Sequence, residues 1–155
     1  MNIALFEPDI PQNVGTIIRL SACMNVTLHV IEPCGFPFSI KALRRSAMDY
    51  IEIANIKQHN SWQHFNEFRK KNDLRLVLLT TKTKKSYLDF SFCENDVLLL
   101  GRESAGVPNF VEEETDEQIT IPMNENARSL NVAISTAMVL GEALRQTKTM
   151  PTKSD

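Results

Sequence analysis

Three stretches of the sequence combine residue types that can do chemistry with a spacing that can bring them together. The first is Asn13-x-Gly15-x-x-x-Arg19. On a helix Gly15 and Arg19 share one face, and helical side chains lean toward the N-terminus. Arg19 can then extend over the bare backbone of Gly15 to the helix start, where free N–H groups suit a phosphate or a developing oxyanion. A capped helix with an exposed arginine has the same spacing. The second stretch is Gly101-x-Glu103-x-x-Gly106-Val107-Pro108, in which Glu103 is the one acid. Its glycines allow a tight loop whose backbone can approach a ligand closely, although a strand followed by such a loop is common. The third is Ile121-Pro122-Met123 followed by Arg128-Ser129-Leu130-Asn131. Ser129 can cap a helix there, with Arg128 and Asn131 as flanking polar groups able to hold a substrate.

Signatures of other chemistries are missing. The sequence has no G-x-G-x-x-G, no G-x-x-x-x-G-K-[ST], no H-E-x-x-H and no G-x-S-x-G. His29, His59 and His64 are isolated along the sequence and read as surface or structural histidines. Cys23, Cys34 and Cys93 form no C-x-x-C pair and no metal-spaced cluster, so no metal site is expected. An odd number of scattered cysteines suits a reducing compartment. Cys34, beside Gly35 in a loop, reads either as a reactive thiol or as a small inert residue.

The 155 residues fit one compact domain over residues 1–149, with a frayed polar tail at 150–155. Hydrophobic residues make up 43%, a globular composition. No apolar run is long enough to span a bilayer. The sequence opens on a strand-like segment, Asn2 to Glu7, rather than on a basic leader. A cytoplasmic, membrane-free protein is expected. Net charge is −2, from 17 basic and 19 acidic residues, unlike a domain held on nucleic acid by bulk charge. The clusters Lys41/Arg44/Arg45, Arg69/Lys70/Lys71 and Lys82/Lys84/Lys85 each fit a solvated face as well as a binding site.

Strand and helix patterns alternate, which predicts an α/β fold with a mainly parallel sheet flanked by helices. Ile3–Glu7, Val26–Glu32 and Tyr50–Ile53 read as strands. So do Leu74–Thr80, Val97–Leu100 and Gln118–Ile121. Asn13 is placed as the N-cap of a helix reaching Met24, Ser39 as the cap of a short helix carrying Lys41, Arg44 and Arg45, and Ser61 as the cap of a helix from Trp62 to Lys71. The last helix is expected from Ser129 to Gln146. Leu130, Ala133, Ile134, Ala137, Met138, Gly141 and Leu144 follow its period as a packing stripe. In parallel sheets ligands bind beyond the carboxyl ends of the strands. The loops Thr81–Lys85, Gly101–Pro108 and Pro122–Arg128 lie at those ends.

In this order and spacing the three stretches resemble the three motifs of the SpoU branch of the SPOUT methyltransferases. The segment from Leu5-Phe6-Glu7-Pro8 through Pro11-Gln12-Asn13-Val14-Gly15 to Arg19-Leu20 resembles the opening of the members that methylate the wobble nucleotide of tRNA. Ile31-Glu32-Pro33-x-Gly35-Phe36, Leu43-Arg44-Arg45-Ser46-Ala47-x-Asp49-Tyr50 and Leu79-Thr80-Thr81-Lys82 match the same group. The resemblance covers nearly the whole sequence, and the motifs are jointly specific. The sequence departs from the group at Gly101-Arg102-Glu103-Ser104-Ala105-Gly106, where Gly-Pro-Glu-Thr-Arg-Gly is common. After Asn131, Val132-Ala133-Ile134 is closer to the general SpoU pattern.

The resemblance implies an α/β domain ending in a deep trefoil knot. It also implies an enzyme that transfers a methyl group from S-adenosylmethionine to a ribose 2′-hydroxyl of tRNA, at the wobble cytidine or uridine. Another tRNA or rRNA position, or a non-catalytic RNA-binding module on the same fold, are the alternatives. Carried over, the cofactor site is Leu79, Thr80, Gly101, Ile121, Met123, Ser129 and Leu130. Arg19 is the cation that stabilises the developing alkoxide and holds a phosphate; arginine is a strong base, so it takes the proton itself only if its surroundings lower its pKa greatly. Asn13 and Asn131 orient the ribose or Arg19, and Glu103 holds Arg19 or a neighbouring backbone group. Arg44, Arg45, Lys82 and Arg128 contact RNA. A homodimer is the implied working unit, with no role for DNA.

Overall fold

A computed structural model of the protein describes residues 1–39, 41, 43 and 47–152. Its strands are β1 (Asn2–Phe6), β2 (Thr27–Ile31), β3 (Ile56–His59), β4 (Arg75–Leu79), β5 (Asp96–Leu100) and β6 (Glu117–Ile119). The helices are α1 (Pro11–Met24), α2 (Trp62–Lys71), α3 (Asn109–Glu112) and α4 (Val132–Thr147). The six strands form one sheet in the order β3-β2-β1-β5-β4-β6. All neighbours pair in parallel.

Successive strand residues point to opposite faces, and helices cover both, so the central strands are apolar on each side. Ile3, Leu5, Leu28, Val30, Leu98 and Leu100 pack with Val14, Ile17 and Ile18 of α1 and Val139, Leu140 and Leu144 of α4. Ala4, Phe6, Leu76, Leu78, Val97 and Leu99 pack on the other face with Trp62 and Phe65 of α2 and Val111 of α3. Helix α1 ends on Asn25, whose φ of 52° is left-handed and whose N–H reaches Ala22 O. Asparagine, short and polar, is one of the few residues that close a helix in that conformation readily. The Ser61 side chain accepts from His64 N, so the predicted cap of α2 is present.

Several sequence expectations are corrected. Tyr50–Ile53 is not a strand: Met48–Glu52 is a 3-10 turn whose Ile51 side chain is buried. The edge strand is instead Ile56–His59, paired with β2 from Leu28↔Ile56 to Ile31↔His59. Its exposed Lys57 and Gln58 hide it from an apolar-pattern search and protect an open edge. Arg69 is no surface charge. It is 5% exposed and donates to Asn66, Asp116 and the Glu114 carbonyl, tying α2 to the turn before β6. His29, His59 and His64 are isolated only in sequence. His29 Nδ1 and His59 Nε2 lie 2.9 Å apart, and the His64 ring packs on His59. Burial first, then the neighbouring His59, depresses His29 to about 3, so the pair is a neutral packing feature under α2 at physiological pH.

The stripe on α4 is also corrected. Ala133 and Leu144 are buried, but Leu130, Ile134, Ala137 and Met138 are exposed. A side chain added at Gly141 would meet nothing within 4 Å. The face that packs on the sheet carries Thr136, Val139, Leu140 and Ala143 instead. Leu43 N–H bonds to Ser39 O, as in the first turn of the expected short helix; Arg44 and Arg45 lie outside the described residues.

Candidate active site

The carboxyl ends of β4, β5 and β6 surround a cavity of about 530 Å³, joined by the loop after β1 and the start of α4. That volume suits a small organic ligand. All seven sequence-predicted cofactor residues line it: Leu79, Thr80, Gly101, Ile121, Met123, Ser129 and Leu130. Asn13, Glu103, Asn131 and Lys82 line it as well. The apolar walls come from the last residues of β4 and β5, Leu78, Leu79 and Leu100, and from Ile121 and Met123 just after β6.

The Gly101 loop is closed on itself. Arg102 N–H donates to Gly106 O at 2.9 Å, and Gly106 N–H returns to Arg102 O at 2.8 Å. A Cβ on Gly101 would lie 2.5 Å from the Gly106 carbonyl carbon, so no side chain fits. Gly106 has a φ of +66°, which glycine adopts without strain. The two glycines read from sequence are thus both structural requirements of the loop that presents Glu103.

One run of hydrogen bonds joins three distant segments. Asn131 Oδ1 accepts from the N–H groups of Ala133 and Ile134, at 2.9 and 3.3 Å, and so caps α4. Asn131 Nδ2 donates to Asn13 Oδ1 at 2.9 Å. Asn13 Nδ2 donates to Glu103 Oε1 at 3.0 Å. The expected caps therefore change. Asn131, not Ser129, caps the last helix. Asn13 lies inside α1, whose cap position is Ile10 with no side-chain bond and whose first residue is Pro11. Proline is preorganised for that first position, and the shift frees Asn13 to bridge Glu103 and Asn131.

Sequence reasoning missed Asp9 and Arg102. Glu103 N–H donates to Asp9 Oδ1 at 3.1 Å, and Asp9 N–H reaches Glu103 Oε2 at 3.5 Å. The Ser104 hydroxyl also donates to Asp9. Arg102 Nη1 lies 3.5 Å from Glu7 Oε2 and its Nε 3.9 Å from Asp9 Oδ2, while that buried Nε has no hydrogen-bond partner. Burial, and then the Asp9 carboxyl, raise the Glu103 pKa. The Glu103 side chain, and then Ser104, lower Asp9 to about 2 against its own burial. Asp9 thus stays ionised while Glu103 keeps a proton to higher pH. The only sequence signal for the pair is an acid next to each motif.

The basic residues are arranged differently from expectation. Arg19 is exposed outside the cavity lining, with its guanidinium 4.9 Å from the Tyr50 ring centroid. Of the two partners expected for Glu103, Arg19 or a neighbouring backbone group, the backbone is the one met, through Asp9 N–H. Lys82 is paired with Glu112 of α3 at 2.8 Å. Arg128 is exposed beside Ser129. Cys34 is half-buried, and burial, then Glu32 and Glu7, push its thiol up to about 11; the inert reading holds. Among the described residues no group of three or more His, Cys, Asp or Glu side chains is placed to hold a metal ion.

The sequence matches the model of the SpoU rRNA Methylase family over residues 1–141. It is 54% identical over 145 residues to a protein of Ancylobacter novellus named tRNA (cytidine(34)-2'-O)-methyltransferase, covering 94% of this chain and 92% of that one. A solved structure described as "Structural insights into the 2-OH methylation of C/U34 on tRNA" superposes with a TM-score of 0.87 at 34% identity, covering 94% of each chain. The SpoU methyltransferase AviRb from Streptomyces viridochromogenes, in complex with AdoMet, superposes with a TM-score of 0.85 at 26% identity, covering 94% of this chain and 60% of that one. With its motifs converging on one cavity and its length matched almost throughout, the protein belongs to the SpoU methylase family.

Proposed function

We propose that this protein transfers the methyl group of S-adenosylmethionine to the ribose 2′-hydroxyl of the wobble nucleotide, cytidine or uridine, in tRNA. The observation that carries the proposal is the convergence of the three motifs on one cavity, with Glu103, Asn13 and Asn131 joined by hydrogen bonds at its wall. The name of the Ancylobacter novellus relative supports the nucleotide. S-adenosylmethionine supplies a methyl carbon on a positively charged sulfur, which a ribose oxygen can attack. Leu79, Ile121, Met123 and Leu130 provide the apolar walls for its adenine, and the backbone of the Gly101 and Ile121 loops provides polar contacts. Orientation and fixed dipoles supply much of the acceleration in such a displacement. No helix among the described residues is long and apolar enough to cross a membrane, and three free cysteines suit the reducing cytoplasm, where we place the protein. The deep trefoil knot fits a sheet in which β5 lies between β1 and β4 and α4 returns to pack on α1.

Arg19 serves as a cation for a tRNA phosphate and for the negative charge that develops on the attacking oxygen. It lies six residues beyond Asn13, about 9 Å along the helix axis, and its guanidinium would leave the Tyr50 ring to reach the bound RNA. Arg128 and the Arg44–Arg45 pair extend the RNA surface, and RNA phosphate competes with Glu112 for Lys82. The exposed apolar face of α4 packs against a second copy of the protein, so the working unit is a homodimer. Ile134 and Met138 supply the contact, and the bare Gly141 permits close approach.

Purified protein incubated with labelled methyl donor and total RNA is expected to label tRNA, and nuclease mapping should place the methyl on the 2′-oxygen of the wobble nucleotide, unaffected by chelator. Label in ribosomal RNA or at another tRNA position would overturn the substrate, and no transfer with no cofactor binding would overturn the reaction. For Arg19→Ala we expect methyl transfer to fall at least about 100-fold while cofactor affinity stays within about threefold; Arg19→Lys, lacking the planar fork, should rescue poorly. Near-normal turnover of Arg19→Ala at saturating RNA would remove Arg19 from the reaction. Sedimentation should show a dimer at micromolar concentration, and Ile134→Asp with Met138→Asp should give monomers. A fully active wild-type monomer would contradict the dimer.

A further inference from the structure

We propose that Asp9 is a positioning residue for methyl transfer, and that it holds the Glu103 carboxylate as the group that takes the proton from the ribose 2′-hydroxyl. The proposal rests on the methyl-transfer reading above and adds a proton acceptor and the residue that sets it. Three ionisable side chains line the cavity among the described residues: Lys82, Arg102 and Glu103. Lysine and arginine are protonated at neutral pH and have no lone pair to offer. Glu103 is the remaining group that can accept a proton at the cavity wall. It is half-buried there, where its basicity is raised above that of a glutamate in water.

Asp9 holds Glu103 at two points, one on its backbone and one on its carboxylate. Its Oδ1 accepts the Glu103 N–H at 3.1 Å, and its own N–H points to Glu103 Oε2 at 3.5 Å. Asp9 is itself held tightly. Gly35 packs so close that a Cβ there would meet Asp9 Cβ at 2.8 Å, and Gly35 N–H bonds to Pro8 O. The groups that face the pair are Asn13 from α1, Arg102 and Ser104 from the Gly101 loop, and Glu7 with Cys34 and Glu32 behind it. Arg102 is shared between Glu7 and Asp9 at 3.5 and 3.9 Å, so it offsets only part of their charge. The remaining negative charge on Asp9 favours the protonated form of Glu103, consistent with the upward direction of the Glu103 pKa and the downward direction of the Asp9 pKa.

The step balances without a further reactant. The 2′-O–H bond breaks and its proton passes to a Glu103 oxygen. The 2′-oxygen bonds to the methyl carbon as the carbon–sulfur bond breaks, and that electron pair stays on sulfur. Glu103 then releases the proton to solvent. A carboxylate that accepts a proton must be ionised beforehand, so activity rises with pH through the Glu103 pKa. Replacing Asp9 by asparagine keeps an acceptor for the Glu103 N–H but removes the neighbouring charge. Glu103 then loses its proton at lower pH, and the acid limb of the rate profile moves down.

Two readouts test this on full-length protein: single-turnover methyl transfer to tRNA from about pH 5 to 9, and carbon-13 NMR of labelled carboxyl groups in the cofactor-free protein. Glu103→Gln should lower the transfer rate at least about 100-fold with cofactor affinity within about threefold. Asp9→Asn should shift both the acid limb and the Glu103 carboxyl titration to lower pH, and Asp9→Ala should lower the rate about 10-fold or more without unfolding the protein, as circular dichroism would verify. Coincident Glu103 titrations in wild type and Asp9→Asn would overturn the role of Asp9. A Glu103→Gln enzyme with more than half the wild-type rate would overturn the proton acceptor. A wild-type protein that methylates no RNA would overturn the underlying reading, and the proposal with it, whereas the NMR titration reads the Asp9–Glu103 coupling independently of activity.

Discussion

The amide of Asn13 is the joint on which the site depends. Its oxygen accepts from Asn131 and its nitrogen donates to Glu103, so one side group links α1, the cap of α4 and the loop after β5. These segments are far apart in sequence and owe their proximity to the sheet order. Each hydrogen bond contributes only about 1 kcal/mol net, and the cap on α4 about another 1 kcal/mol. Their value lies in geometry: the cap that starts α4 also fixes Asn131, and Asn131 fixes the amide that faces Glu103. A shift of any one segment leaves a polar group at the cavity wall without its partner.

The parallel sheet makes this possible. Because both faces of the central strands are covered, β1, β4 and β5 are largely apolar and stop abruptly where polar loops begin. All strands point the same way, so these transitions occur at one end of the sheet. The cavity is apolar on the strand side and polar on the loop side for that reason. Two glycines, one with no room for a side chain and one with left-handed backbone, let the loop after β5 turn back within a few residues. Some loop charges are paired, as at Lys82–Glu112 and Arg102–Glu7.

Much of this is legible in the sequence because burial on both faces leaves unmistakable apolar runs, as at Val97–Leu100, and because motif glycines and strand ends are local features. The location of the cavity follows from those ends, whereas its individual residues follow from the family resemblance. What is not legible depends on tertiary partners. Asn13 and Ser129 have the residue types of helix caps, but Pro11 starts α1 earlier and Asn131 holds the α4 cap. The strand Ile56–His59 is invisible because an edge strand needs backbone partners more than apolar side chains. The α4 stripe has the period of a packing face, yet half of it faces solvent in the monomer, since periodicity reports an apolar face and not what covers it. The Asp9–Glu103 clasp joins residues 94 positions apart, beyond any spacing rule. Arg19 has the helical spacing that places it on the Gly15 face, yet its side chain rests over Tyr50, a contact set by a 3-10 turn whose apolar pattern mimics a strand.

The central claim is that Glu103, Asn13 and Asn131 work as one unit in catalysis. A double-mutant cycle tests it most directly: kcat/KM for tRNA methylation by wild type, Asn13→Ala, Asn131→Ala and the double variant. The account predicts strong non-additivity, with the double variant about as impaired as the worse single variant and a coupling energy of about 1 kcal/mol or more. Additive losses would show that the two asparagines act separately and would contradict the claim.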